Sequence, residues 1–181
     1  MPLANLFYGT RIRLAAFHPE DAEIAAHWTE DGEYQRQMDT DFARPSTPAE
    51  QAEMLTSRRS SNSVNFALRT LDGDRLIGFV AIHSIEWNNQ CGTLSMGIGE
   101  AEFRGKGYGS EALNLILNYA FNELNLYRVG LDVIGTNERA IRAYQKAGFR
   151  EEGCLRASVF RDGQRQDRIL MSVLRDEWQP V

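Results

Sequence analysis

The 181-residue chain carries only two cysteines, three histidines and five prolines, and it has no apolar run that approaches a membrane span, which takes about 18 residues. Each scarcity closes off a class of protein. Cys91 and Cys154 form neither a CxxC pair nor a metal-type spacing, and His18, His27 and His83 form no HExxH pattern, so neither a metal site nor a disulfide framework is expected. Positive charge is short too. The formal net charge is -5, which argues against nonspecific binding to nucleic acid, because that needs clustered cations to displace counterions. The opening MPLANLFYGTRIRLAAF sets Gly9, Thr10, Arg11 and Arg13 where a signal peptide needs an apolar core. A cytoplasmic protein without a membrane segment is therefore expected.

What is present suits a globular chain. With 43% hydrophobic residues the sequence can bury one sizeable core, and no repeat, low-complexity segment or linker interrupts it, so a single domain over residues 1–181 is expected. Acidic residues gather in one window: Glu20, Asp21, Glu23, Glu30, Asp31, Glu33, Asp39 and Asp41 stand against the single Arg36. Such a run is either a solvated face or a surface for a cationic partner.

Periodicity divides the chain into elements. Arg11 to Phe17 reads as a strand, Pro19 to Tyr34 as one helix with Ile24 and Trp28 on a shared face, and Thr47 or Pro48 to about Arg59 as a second helix stopped by polar Ser60 to Ser63. Two strands, VNFALRTL and LIGFVAIHSI, are joined by a turn at Asp72-Gly73, and GTLSMGIG is a third. Leu113, Ile116, Leu117, Ala120, Phe121 and Leu124 then form one helical stripe. RVGLDVI reads as a strand and TNERAIRAYQKAGF as a helix, with Asn137 as its N-cap and Gly148 as its stop. FREEGCLRASVF and the segment around DRILMSVL are closing strands about the turn RDGQ. The expected fold is mixed α/β with about four helices, in the order βααβββαβαββ.

The chemistry concentrates in FRGKGYGSEA, where Gly105, Gly107 and Gly109 alternate directly ahead of the strongest helix. A strand, an open turn and a helix N-terminus gather backbone NH groups and the positive end of the helix dipole at one point, which suits a diphosphate. A Walker loop does not fit, since five residues separate Gly99 from Gly105 and Gly107 replaces the magnesium-holding Ser or Thr. GYGSEA satisfies GxGxxA, but it follows antiparallel-looking strands, and Tyr127 and Arg128 stand where a dinucleotide fold keeps a ribose-binding acid.

RGKGYG, Arg104 to Gly109, resembles the R/Q-x-x-G-x-G/A signature of the GCN5-related N-acetyltransferases, and NERAIRAYQKAGF, Asn137 to Phe149, resembles their second segment. The tail, with Glu152, Gly153, Arg156 and Asp167, looks like the branch that holds ribosomal-protein N-terminal acetyltransferases and spermidine acetyltransferases. The resemblance implies a mostly antiparallel twisted sheet and direct transfer of an acetyl group from acetyl-CoA to a primary amine, either of a polyamine or of a protein N-terminus. It also allows a homo-oligomer. By this resemblance the NH groups of Arg104, Gly105, Lys106, Gly107, Tyr108, Gly109 and Ser110 hold the diphosphate, with Arg104 and Lys106 either adding charge or simply lying on the surface. Met96, Gly97 and Ile98 run beside the pantetheine arm. Asn137 lies near the cosubstrate as well as capping its helix.

Tyr144 is the catalytic candidate, as the group that meets the departing thiolate; spacing alone, with Ala140 and Ile141 on the same face, would equally make it a core residue. The incoming amine must also lose a proton. A lysine-like amine of pKa about 10.4 pays roughly 4.6 kcal/mol at pH 7, an α-amine about 1 kcal/mol. Many relatives place a glutamate two residues before the strand glycine; here Ser95 stands there, leaving His83 and Glu86 as substitutes. Glu30, Asp31 and Glu33 are candidates for holding a polycation. The missing glutamate also keeps open a different class of answer, a CoA-binding module without turnover.

Overall fold

The computed structural model describes residues 5–57 and 61–180. Seven strands form one sheet: β1 (Ile12–Ala15), β2 (Val64–Thr70), β3 (Leu76–Glu86), β4 (Cys91–Ile98), β5 (Arg128–Ile134), β6 (Arg150–Arg161) and β7 (Gln164–Leu174), in the order β1-β2-β3-β4-β5-β7-β6. All neighbours are antiparallel except β4 and β5. The mixed, mostly antiparallel α/β fold is as the sequence implied.

Five α-helices accompany the sheet rather than four: α1 (Asp21–Trp28), α2 (Gly32–Met38), α3 (Pro48–Ser57), α4 (Tyr108–Asn122) and α5 (Glu138–Lys146). The helix expected over Pro19 to Tyr34 is two. Thr29 ends the first by donating its hydroxyl to Ala26 O at 2.6 Å, and Asp31 starts the second by accepting from Tyr34 N at 3.0 Å. A Thr and an Asp beside Gly32 offer the backbone closer partners than a continuing helix would. The expected end of α3 at Arg59, and Ser60 of the loop after it, lie outside the described residues.

The stripe on α4 does what its spacing requires. Ala112, Leu113, Ile116, Leu117, Ala120 and Phe121 are buried against strand residues such as Ile82, Val129 and Leu131, each large side chain contributing about 1.5–3 kcal/mol. The opposite face is covered by α1, whose Ala25 and Trp28 pack on Ala15, Ala67 and Leu76. A bidentate pair fastens that helix: Arg69 Nη2 donates to both oxygens of Asp21, at 2.6 and 2.8 Å, with side chains 7% and 1% exposed.

One irregularity of the sheet creates a site. β4 pairs with β5 only through Cys91 to Thr93, opposite Arg128 to Gly130. Beyond that point β4 stays with β3 as far as Ile98, while β5 stays with β7 as far as Ile134. The two edges separate. Their facing NH and C=O groups therefore have no ladder partner, and buried backbone groups of this kind call for one.

Candidate active site

The separated strands open into a cleft of about 610 Å³, lined by β4 from Thr93 to Ile98, by Asp132, Val133 and Ile134 of β5, by the glycine loop, and by residues of α2 and α5. After β4 the chain makes a short turn at Ala101–Phe103 and reaches Gly105 and Gly107, whose φ values of +73° and +86° lie in the left-handed region that glycine adopts without strain. Gly107 caps α4 with no side-chain bond of its own. The NH groups of Tyr108, Gly109 and Ser110 belong to the first turn of α4, which has no intrahelical acceptor for them.

The sequence candidates distribute unevenly around this cleft. Met96, Gly97, Ile98, Arg104, Gly105, Gly107, Gly109, Ser110 and Asn137 line it, whereas Lys106 and Tyr108 do not. Lys106 is exposed, and its carbonyl accepts from Arg11 Nη1 at 2.9 Å. The Tyr108 ring packs edge-on against Phe103 with Arg11 4.5 Å over its face.

Arg104 is spent within the protein. Its Nε donates to Ile98 O at 2.9 Å, Nη2 to Gly99 O, and Nη1 to Asp31 Oδ2 at 2.7 Å, while its guanidinium lies 4.6 Å above the Tyr34 ring. It joins the end of β4 to α2 across the mouth of the cleft.

On the α5 wall, Asn137 accepts from Ala140 N at 3.2 Å, so it caps its helix while lining the cleft. Tyr144 stands about two turns further along, with its ring 5.7 Å from that of Phe149. Burial, and secondarily the charge of Asp132, push its phenol up to about 12. Proton release from such a phenol is disfavoured, and hydrogen-bond donation is preserved.

The candidates on the acceptor side fare differently. His83 lines the cleft, with Nδ1 3.1 Å from Ser84 Oγ. Glu86 does not; it sits at the end of β3 and accepts from Asn89 Nδ2. Glu30 is exposed and paired with His27 at 2.9 Å. Asp31 caps α2 and pairs with Arg104, and the backbone NH of Tyr34, followed by Arg104, holds its carboxyl below the usual range. Glu33 lines a smaller adjoining hollow with Asn137 and Arg139.

Sequence reasoning did not single out Tyr34, Met38, Asp132 or Arg168, all of which line the cleft. Asp132 had a signal, a lone carboxylate within the apolar run RVGLDVI. Arg168 Nε approaches its Oδ2 to 3.1 Å, but without the alignment of a hydrogen bond. Among the described residues no cluster of three or more His, Cys, Asp or Glu is placed to hold a metal, and no helix is long and apolar enough to cross a membrane.

A split sheet beside a glycine loop at a helix N-terminus defines an acyltransferase architecture, and comparison with known proteins agrees. The acetyltransferase (GNAT) domain family matches residues 11–150, and the chain belongs to that family of enzymes. Among individual relatives, the uncharacterized N-acetyltransferase p20 of Bacillus licheniformis is 27% identical over 94% of this chain and 97% of its own length. The spermidine N(1)-acetyltransferase of Escherichia coli K12 is 39% identical over 77 residues, which is 42% of this chain and 41% of that enzyme. In fold, the Vibrio cholerae spermidine N-acetyltransferase solved with CoA and spermine superposes with a TM-score of 0.84, covering 93% of this chain and 98% of that one at 24% identity.

Proposed function

We propose that this enzyme transfers an acetyl group from acetyl-CoA directly to a primary amine, with the thioester arm lying in the gap between β4 and β5. The observation that carries the proposal is the continuity of that gap with the Gly105–Ser110 turn. A diphosphate fits the turn, since donors and the helix dipole converge there. The arm's amides fit the gap, since both strand edges have backbone groups to offer. Acetyl-CoA supplies an activated acyl group: the amine nitrogen forms a C–N bond as the C–S bond breaks, the amine gives up a proton, and the thiolate receives one.

The protein's residues divide this work. Tyr144 would face the departing sulfur. With its phenol at about 12 and a thiol near 8.5, complete proton transfer from it is uphill by roughly 5 kcal/mol, so its contribution is a hydrogen bond to the thiolate. His83 is the base candidate that lines the cleft; Glu86, at the hairpin end, is set aside. Neither cysteine serves as a nucleophile in this scheme, as attack is direct.

For the acceptor, names of relatives favour a polyamine. The acidic window supports this less than its composition suggested, because Asp21 and Asp31 are paired with arginines of the protein itself. An acceptor whose amine has a low pKa pays less to reach the free base. The test is release of free thiol from acetyl-CoA in the presence of spermidine, spermine, free amino acids and short peptides. Turnover with an amine supports the transferase. Binding of CoA without thiol release from any acceptor would make the chain a CoA-binding module instead.

A further inference from the structure

The cleft has a second tyrosine, on the face of the sheet opposite Tyr144. Tyr34, on α2, packs with the α1 cluster, whereas Tyr144 packs with the α4 core. Its backbone is pinned by the Asp31 cap and its ring by Arg104, so the hydroxyl is held in place. That hydroxyl is buried and has no hydrogen-bond partner among the described residues. It lies over Gly97 of β4: a Cβ added there would come within 2.5 Å of the Tyr34 oxygen and 2.7 Å of Met38 Sδ. Buried hydroxyls are nearly always satisfied, and leaving one unpaired is costly. The hydroxyl is shielded from bulk water, and the cleft whose wall Tyr34 forms is a route by which a partner can reach it.

We propose that the Tyr34 hydroxyl donates a hydrogen bond to the acyl carbonyl oxygen of the bound thioester, and is thus a catalytic residue for transfer. This rests on the transferase reading above. Gly97 lies in the part of β4 that β5 has left, on the strand face it shares with Ser95 two residues earlier. An acyl group entering the gap beside Gly97 meets Tyr34 from α2, and the flexible thioether of Met38 can yield to admit it. Burial raises the Tyr34 phenol above its ordinary range, so it stays protonated and donates. The carbonyl oxygen gains negative charge as the amine attacks, and a fixed donor there strengthens most in the transition state.

The test is Tyr34→Phe in the full-length enzyme, with affinities for acetyl-CoA and for CoA measured separately by calorimetry, thermal melting of the free protein, and steady-state kinetics with the best acceptor. The free variant is expected to melt at or above the wild-type temperature, since the substitution removes an unpaired buried hydroxyl. Its preference for acetyl-CoA over CoA should fall about fivefold. The kcat should fall by about 10²-fold, in the range seen for single oxyanion donors. An unchanged kcat, or equal weakening of acetyl-CoA and CoA, would overturn the assignment while a working wild type leaves the transferase reading intact. A wild type that binds neither compound would sink both.

Discussion

The guanidinium of Arg104 closes a ring that runs from the carbonyls of Ile98 and Gly99 to the carboxylate of Asp31, which itself caps α2. One side chain thus ties the last turn before the glycine loop to the helix that roofs the cleft. Replacing Arg104 with Leu should cost about 1–3 kcal/mol in urea unfolding, the range for charged hydrogen bonds that are partly buried. It should also raise the KM for acetyl-CoA several-fold. Asp31→Asn retains a good cap and loses only the charge, so its effect on both quantities should be less than half as large.

Tyr144→Phe separates chemistry from packing. The ring contact with Phe149 survives, so the melting temperature should change little. If the phenol bonds the leaving sulfur, kcat should fall 10- to 100-fold with the acetyl-CoA dissociation constant unchanged. A pH profile adds a second check. Because the Tyr144 phenol sits at about 12, no loss of activity near pH 10, where an ordinary tyrosine ionises, should trace to it.

Gly97 and Gly105 should respond to alanine for different reasons. At Gly97 a methyl group collides with the side-chain ends of Tyr34 and Met38, so those side chains must move; a cost of about 1–3 kcal/mol and a sharp fall in kcat are expected. At Gly105 a methyl meets nothing within 4 Å, and only the φ of +73° is penalised, by about 1–2 kcal/mol. Urea unfolding of the two variants, alongside their kinetics, distinguishes steric from conformational demand.

Much of this was written in the chain and some was not. The α4 stripe and the Asn137 cap were legible because they depend on neighbours within a few residues. The Gly148 stop was too, and that residue has a φ of +97°. The break between α1 and α2 was missed because Ile24 and Trp28 keep helical spacing right up to Thr29, and the capping role of Asp31 depends on which carboxylate the chain uses. The acidic window is less anionic than its composition suggests, for a related reason. Two of its charges are offset from far away, Asp21 by Arg69 and Asp31 by Arg104, and no local pattern reports a partner 48 or 73 positions distant. Tyr34 was invisible as a site residue because its significance lies in a hydroxyl that lacks a partner.

Acid should loosen the far edge of the sheet. Arg128 bonds both oxygens of Glu152, whose Oε1 also accepts from Ser172 Oγ at 2.7 Å, and these partners, Arg128 foremost, hold its carboxyl at about 2. Because the folded pKa is depressed, the stabilisation is complete above the unfolded value near 4.3 and is lost as pH falls towards 2. The carboxylate is partly exposed, so solvent screening leaves about 1 kcal/mol. Glu152→Gln should remove that amount at pH 7, and the difference from wild type should vanish near pH 2, as read from urea midpoints across the range.

The most direct measurement is a crystal structure of the enzyme with CoA. The diphosphate is predicted within hydrogen-bond distance of the NH groups between Gly107 and Ser110, with the pantetheine arm filling the gap that opens after Thr93 and Gly130. A diphosphate bound away from that turn, or an arm lying outside the gap, would contradict the account.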